Sequence, residues 1–227
     1  MNGAKTVATP MSSSGLSPQN GSPTLSDATA YRKLVGSLQY LSFTRPNISF
    51  AVNKLSQYMH CPTELHWQAV KHILRYLKGT MFHGLLMRSS SSLALHAFSD
   101  FDWAEYRALA ATSSKLVWVL HLLSELDLHF GTPFVLYCDN VGSTYLSSNP
   151  VMHSCMKHIT IDHHFICDLV GKRILRVPHI ASADQLANGL TKPLSSFRFA
   201  LLRSKIGVVD GSTILRGRIK ETLDTAP

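Results

Sequence analysis

Apolar residues recur at helical spacing through the first third of the chain. Tyr31, Leu34, Val35, Leu38 and Leu41 form one stripe, which Ser26 or Asp27 can cap and Arg45-Pro46 breaks. Ile48, Val52, Leu55 and Tyr58 form a second, stopped by Cys61-Pro62. A third begins after Pro62 and carries Leu65, Trp67, Val70, Ile73, Leu74 and Leu77 up to Gly79, so residues 28 to 80 read as an all-helical unit. After Gly84 the period changes. Leu85-Leu86-Met87 and Leu93 to Phe98 are short apolar runs with Ser-rich punctuation, and they read as strands. Residues 104 to 127 have the length of one helix, with Leu109, Leu116, Val119, Leu120 and Leu123 as its stripe. Phe134 to Cys138 is nearly continuous in apolar residues, the pattern of a strand buried on both faces. Helices fit residues 141 to 147 and 157 to 171, Arg173 to Val177 is a basic-flanked strand, and a last helical core spans Ala183 to Leu190.

Strand, helix, strand, helix, strand in this order predicts an α/β fold with a parallel sheet wound by right-handed crossovers. Ligand sites in such sheets lie at the carboxyl ends of the strands, and Asp100 and Asp139 both fall there. Residues 1 to 27, rich in Ser, Thr, Gly, Asn and Pro, read as a flexible linker.

Composition narrows the partners. Twenty-two Lys and Arg against 14 Asp and Glu give a formal charge of +8, which favours a polyanion such as nucleic acid. Lys71, Arg75 and Lys78 on the third helix could follow a phosphate backbone, although a solvated helix face accounts for them equally well. Cys61, Cys138, Cys155 and Cys167 make no CxxC pair, sit among apolar residues and read as reduced core thiols. Without a signal-like start or an apolar run of about 20 residues, the chain is expected to be intracellular, in cytoplasm or nucleus, neither secreted nor in a membrane. Nothing in the sequence fixes an oligomeric state. His153, His158, His163 and His164 do not read as a metal cluster, because residues five apart on a helix point about 140° away from each other.

Longer motifs carry a resemblance. Tyr31 to Leu41, Thr44 to Asn53 and Ile73 to Thr80 are similar to the end of the reverse transcriptase of Ty1/copia-type retrotransposon Pol polyproteins. Ser99-Asp100-Phe101-Asp102-Trp103-Ala104, Glu105-Tyr106-Arg107-Ala108-Leu109, Tyr137-Cys138-Asp139-Asn140 and Lys157-His158-Ile159-Thr160-Ile161-Asp162 resemble the ribonuclease H domain that follows it. Together they cover most of residues 5 to 209. The resemblance implies a truncated ribonuclease H-like mixed or parallel sheet with flanking helices over residues 85 to 194. Before it would lie a thumb- or connection-like helical unit at 28 to 84, and after it a C-terminal helix and tail at 195 to 227.

The activity implied is cleavage of the RNA strand of an RNA–DNA hybrid with two Mg²⁺ ions, Mn²⁺ being an alternative. Two divalent cations about 4 Å apart need several oxygen ligands to offset their repulsion. By the same resemblance Asp100, Glu105 and Asp139 are the metal ligands, Asn140 and Lys157 lie toward the nucleic acid, and His158 lies near the substrate or packs locally. Two departures stand out. Similar chains carry several tens of residues, expected to form a strand hairpin, between positions 104 and 105, and this chain has none there. They also place a fourth acid where this chain has Asn188, a carbonyl donor without charge. Asp184, one turn earlier, could substitute, but it reads better as a helix-start acid. Two readings follow: a hybrid-directed ribonuclease, or a degenerate, non-catalytic fragment with at most basic nucleic-acid binding. DNA synthesis by this chain alone is not expected, since nothing before residue 28 supplies a polymerase palm.

Overall fold

The computed structural model describes residues 3–12, 22–87, 94–100, 105–128, 131–149 and 160–212, with Glu105 and Tyr106 described as backbone alone. The chain divides into two units, residues 1–88 with 188–227 and residues 89–187.

The first unit is helical. Helix α1 (Thr29–Leu41) starts where the Asp27 carboxylate accepts the Thr29 backbone N–H at 2.8 Å, and hydrogen bonding to Thr29 holds the Asp27 carboxyl below its usual range. A 3₁₀ turn (Pro46–Ile48) leads into α2 (Ser49–Ser56), and α3 spans Glu64–Gly79. Tyr31, Val35 and Leu38 of α1 pack with Ile48, Ala51, Val52 and Leu55, and with Val70, Ile73 and Tyr76 of α3, as the helical spacing predicts. The Tyr31 hydroxyl donates to the Leu55 carbonyl at 2.7 Å, and burial pushes its phenol pKa up to about 12.

Two stretches differ from the sequence reading. Residues 3–12, read as part of a linker, are packed: Met11 is buried in the core with Val7 against it, the Thr9 carbonyl accepts from His72 Nε2 at 2.9 Å, and Lys78 Nζ donates to the Ala4 carbonyl. A few apolar anchors outweigh the polar average of that stretch. The strand read at Leu85–Met87 is β1 (His83–Leu85), and it pairs antiparallel with a strand from the end of the chain, Val208–Asp210, labelled β5 below. The short helix α7 (Asn188–Thr191) and α8 (Ser196–Lys205) also belong to this unit, with Phe199 in its core. Gly207, at φ +86°, supplies the left-handed residue that turns α8 into the returning strand.

The second unit is mixed α/β. Strands β2 (His96–Ser99), β3 (Phe134–Cys138) and β4 (Leu175–Arg176) form a parallel sheet in the order β2-β3-β4, with α4 (Glu105–Glu125), α5 (Val141–Ser148) and α6 (Thr160–Gly171) between and beside them. Phe134, Leu136 and Cys138 bury one face against Leu109 and Ala110 of α4 and Ile166 and Leu169 of α6. Val135 and Tyr137 on the other face are half-buried, so β3 alternates where its apolar run suggested burial on both sides. Strand β2 has only β3 as a sheet neighbour among the described residues and stands at the edge. The helix expected over Ala183–Leu190 is instead a run of turns followed by α7. No helix among the described residues is long and apolar enough to cross a membrane.

The helical unit is predicted to loosen in acid. His66, His72 and His83 all have pKa values held below the ordinary 6.5, in each case chiefly because burial disfavours the cation. His66 Nδ1 accepts the Thr63 backbone N–H at 3.0 Å in a capping box at the start of α3, a bond that needs Nδ1 unprotonated. The unfolded chain therefore binds more protons than the folded one below about pH 6.5. Stability is complete above that pH and falls as pH drops through the folded-state values. Thermal melts at about pH 7.5 and 5.5 check this, and His66→Gln, which keeps an acceptor at the same place, should flatten part of the slope. A melting temperature unchanged between the two pH values would refute it.

Candidate functional site

The register of the parallel sheet builds the site. Ser99 lies opposite Cys138 across β2 and β3, and Cys138 is bridged in turn to His179 beyond β4. One residue further along, Asp100 leaves β2 and Asp139 leaves β3 at the same level, on strands spaced about 4.8 Å apart. Both are half-buried. Because side chains alternate, Asp100 shares a sheet face with His96 and Phe98, and Asp139 shares it with Val135 and Tyr137. His96 and Phe98 stack on Tyr137, with ring centroids 5.8 and 5.0 Å away, so an aromatic row runs along this face toward the two acids.

Glu105 opens α4, five residues after Asp100, with its side chain outside the described residues. Asn188 opens α7, is buried, and is counted with the helical unit. Asp184 lies in the turn before it and is exposed. Lys157 and His158 fall outside the described residues, as do His153 and Cys155. Asn140 caps α5, its Oδ1 accepting the Ser143 backbone N–H at 2.8 Å, which holds the loop after Asp139 in place. His163 is buried, with Nε2 3.1 Å from the Asn149 carbonyl. Among the described residues no three His, Cys, Asp or Glu side chains converge as a metal site.

Two residues at this end of the sheet escaped the sequence reading. Gln185 is fully buried, and its Nε2 donates to the Ser99 carbonyl at 2.9 Å while its Oε1 accepts the Ala187 N–H at 3.4 Å. It ties residues 182–187 to the strand end that carries Asp100. Its only signal in sequence is a polar residue amid the apolar positions of a weak helix. His179 is exposed and sits at the level of Cys138 through the backbone bridge. Gln185→Leu, which keeps the volume but loses the donor, should cost about 1–3 kcal/mol in urea unfolding, since a buried carbonyl is left without its partner. A loss below about 0.5 kcal/mol would mean that the tie does not hold the strand end.

Charge is divided between the units. Residues 1–88 and 188–227 hold 16 Lys and Arg against 5 Asp and Glu, and residues 89–187 hold 6 against 9. The basic excess of the chain is thus carried by the helical unit. On α3, Lys71 and Lys78 are exposed and Arg75 half-buried, one helical face apart from the core stripe. Lys71 Nζ also lies 5.5 Å from the centre of the Trp67 ring.

No family model matches the chain, and no solved structure matches it. The retrovirus-related Pol polyprotein from transposon RE2 of Arabidopsis thaliana is 47% identical over 91% of this chain, and that from transposon RE1 of the same plant is 48% identical over 90%. An uncharacterised mitochondrial protein of Arabidopsis thaliana is 48% identical over 47% of this chain and 98% of its own length. The chain spans 17% of the length of each of the two transposon polyproteins. The RE2 match extends over 244 positions while taking in 91% of 227 residues, about 207, so about 37 positions of the relative have no counterpart here. With near-half identity along nine-tenths of its residues, the chain belongs to the retrovirus-related Pol polyproteins of copia-type transposons, as a fragment carrying an internal deletion.

Proposed function

We propose that the chain is the ribonuclease H-type portion of such a Pol polyprotein, with the helical unit holding a nucleic acid and the sheet unit hydrolysing the RNA strand of an RNA–DNA hybrid. The observation that carries this reading is the placement of Asp100 and Asp139 side by side at the carboxyl ends of adjacent parallel strands. Their carboxylates, with that of Glu105, offer the oxygen donors that a hard divalent cation such as Mg²⁺ prefers, and Mn²⁺ accepts the same set. Ions held by these carboxylates would supply activation of the attacking water and stabilisation of the leaving oxygen. Asn188 stands at the sequence position where similar chains carry a fourth acid, and its amide has no charge with which to offset a cation. On the helical unit, Lys71, Arg75 and Lys78 serve as phosphate contacts, and Asn140 orients the loop beside Asp139.

A second reading, a non-catalytic binder of nucleic acid, is favoured by the concentration of positive charge in the helical unit and by Asn188. A cleavage assay on a labelled hybrid in Mg²⁺ and in Mn²⁺ separates the two, with Asp100→Asn and Asp139→Asn as controls. Metal-dependent cutting of the RNA strand by the unmutated chain alone supports the enzyme. Equal background in all three proteins, with binding that weakens as salt rises, leaves the binder.

A further inference from the structure

The turn that ends α1 displays two aromatic side chains for which the core has no use. Tyr40 is 80% exposed and Phe43 81%, and their rings meet edge to face with centroids 6.3 Å apart and planes at 76°. Together with Ser37, Leu41 and Thr44 they line an open groove of about 470 Å³, within the size range of small-ligand sites. Two rings at right angles form a corner in which a third flat ring can stack on one face and be flanked by the other.

The corner is rigid. Ser42, Phe43, Thr44 and Arg45 each donate a backbone N–H to a carbonyl of the last helical turn, at 3.0 to 3.3 Å, and the Thr44 hydroxyl caps the Leu41 carbonyl. Leu38 is buried beneath it and Leu41 packs against the same core. Arg45, which follows at once, is buried and clamped to Thr80 by hydrogen bonds of 2.9 Å. The backbone that carries the two rings therefore has little freedom to lose when a ligand stacks on them.

Charge selects the ligand. Helix α1 carries Arg32 and Lys33 and no acid, in a unit with 16 basic and 5 acidic residues. Lys33 and Ser37 lie on the same face as Tyr40, and Lys33 is two turns away, about 10 Å along the axis, the distance of one to two nucleotides of backbone. A flat, apolar ring joined to negative charge is a nucleotide. A neutral protein surface would use the rings but not the lysine, and a duplex would use the lysine but not the rings. We propose that Tyr40 and Phe43 form a stacking platform for an unpaired base of a single-stranded nucleic acid, with Lys33 on an adjacent phosphate. The platform is separate from the carboxylate site and does not depend on cleavage, resting only on the part of the proposed function that makes the helical unit a nucleic-acid binder.

The test uses the full chain and fluorescence anisotropy with a 12-nucleotide single strand and a blunt duplex of equal length. Tyr40→Ala with Phe43→Ala should weaken single-strand binding about tenfold or more, change duplex binding less than twofold, and leave the salt slope unaltered. Tyr40→Phe should bind as the parent does, and Lys33→Ala should reduce the salt slope by about one contact. Both aromatic positions are exposed, so melting should be unchanged, and a melt confirms it. Equal weakening on duplex and single strand, or none on either, overturns the platform. So does a double variant that alters sedimentation while binding normally, which would assign the patch to contacts between copies of the chain. The aromatic variants are scored on single-strand affinity without metal and Asp100→Asn on hybrid cleavage, so loss of cleavage and loss of the platform are read separately.

Discussion

Replacing Arg45 by Ala should destabilise the helical unit by about 2–4 kcal/mol, the combined cost of buried acceptors left unpaired and of the cavity. Arg45 is 6% exposed, and its guanidinium donates to the Thr80 carbonyl and to Thr80 Oγ1, both at 2.9 Å, and to Asn47 Oδ1 at 3.4 Å. The acceptors are themselves linked. The Thr80 hydroxyl donates to the Tyr76 carbonyl, and Asn47 Nδ2 donates to the Tyr76 hydroxyl at 2.6 Å. Ala would leave a cavity and unpair buried oxygens that water cannot easily reach. Lysine would keep the charge but lose the fork that satisfies the turn and the end of α3 together, and should cost nearly as much. Urea unfolding followed by circular dichroism measures both variants. A loss under about 1 kcal/mol for Arg45→Ala would show that the network is dispensable.

The second large effect concerns activity. Under the proposed function, Asp100→Asn and Asp139→Asn should each lower the rate of RNA-strand cleavage by about a hundredfold or more, and the double variant should be scarcely worse than either single one. Each substitution keeps the shape and removes one negative charge from neighbouring strand ends, so either alone cripples a site whose acids act as one set. Rates from single-turnover assays would show it. Independent, multiplying losses would mean that the two acids serve different steps, and a loss of only two- or threefold would remove them from the chemistry. Unchanged melting of the Asn variants confirms that folding is not the cause.

The helical stripes were legible because a 3.6-residue period states directly which residues face inward, and Tyr31, Val35, Leu38, Val70 and Ile73 are where that period puts them. The position of Asp100 and Asp139 at the carboxyl ends of parallel strands was legible too, because each follows directly on a short apolar run. Longer-range facts were not. No local pattern announces that His83–Leu85 waits for Val208–Asp210, because strand pairing across more than a hundred residues leaves no periodic trace. The network of Arg45 looked like a helix breaker because Pro46 dominates the local signal. Gln185 was hidden for a related reason: its partner, Ser99, lies 86 residues away, and a buried amide tied to a distant carbonyl resembles any polar residue on a helix. Met11 and Val7 were masked by the serines and threonines around them.

The split of the helical unit around the sheet unit has a consequence for synthesis. At about 5–20 residues per second, the ribosome needs roughly 6 to 24 s to pass from residue 88 to residue 210. During that interval α1, α2 and α3 have emerged without Phe199 or the strand that closes on β1. The sheet unit is continuous in sequence, so all of its core is available first. The nascent chain thus completes its later-made half before its earlier-made one.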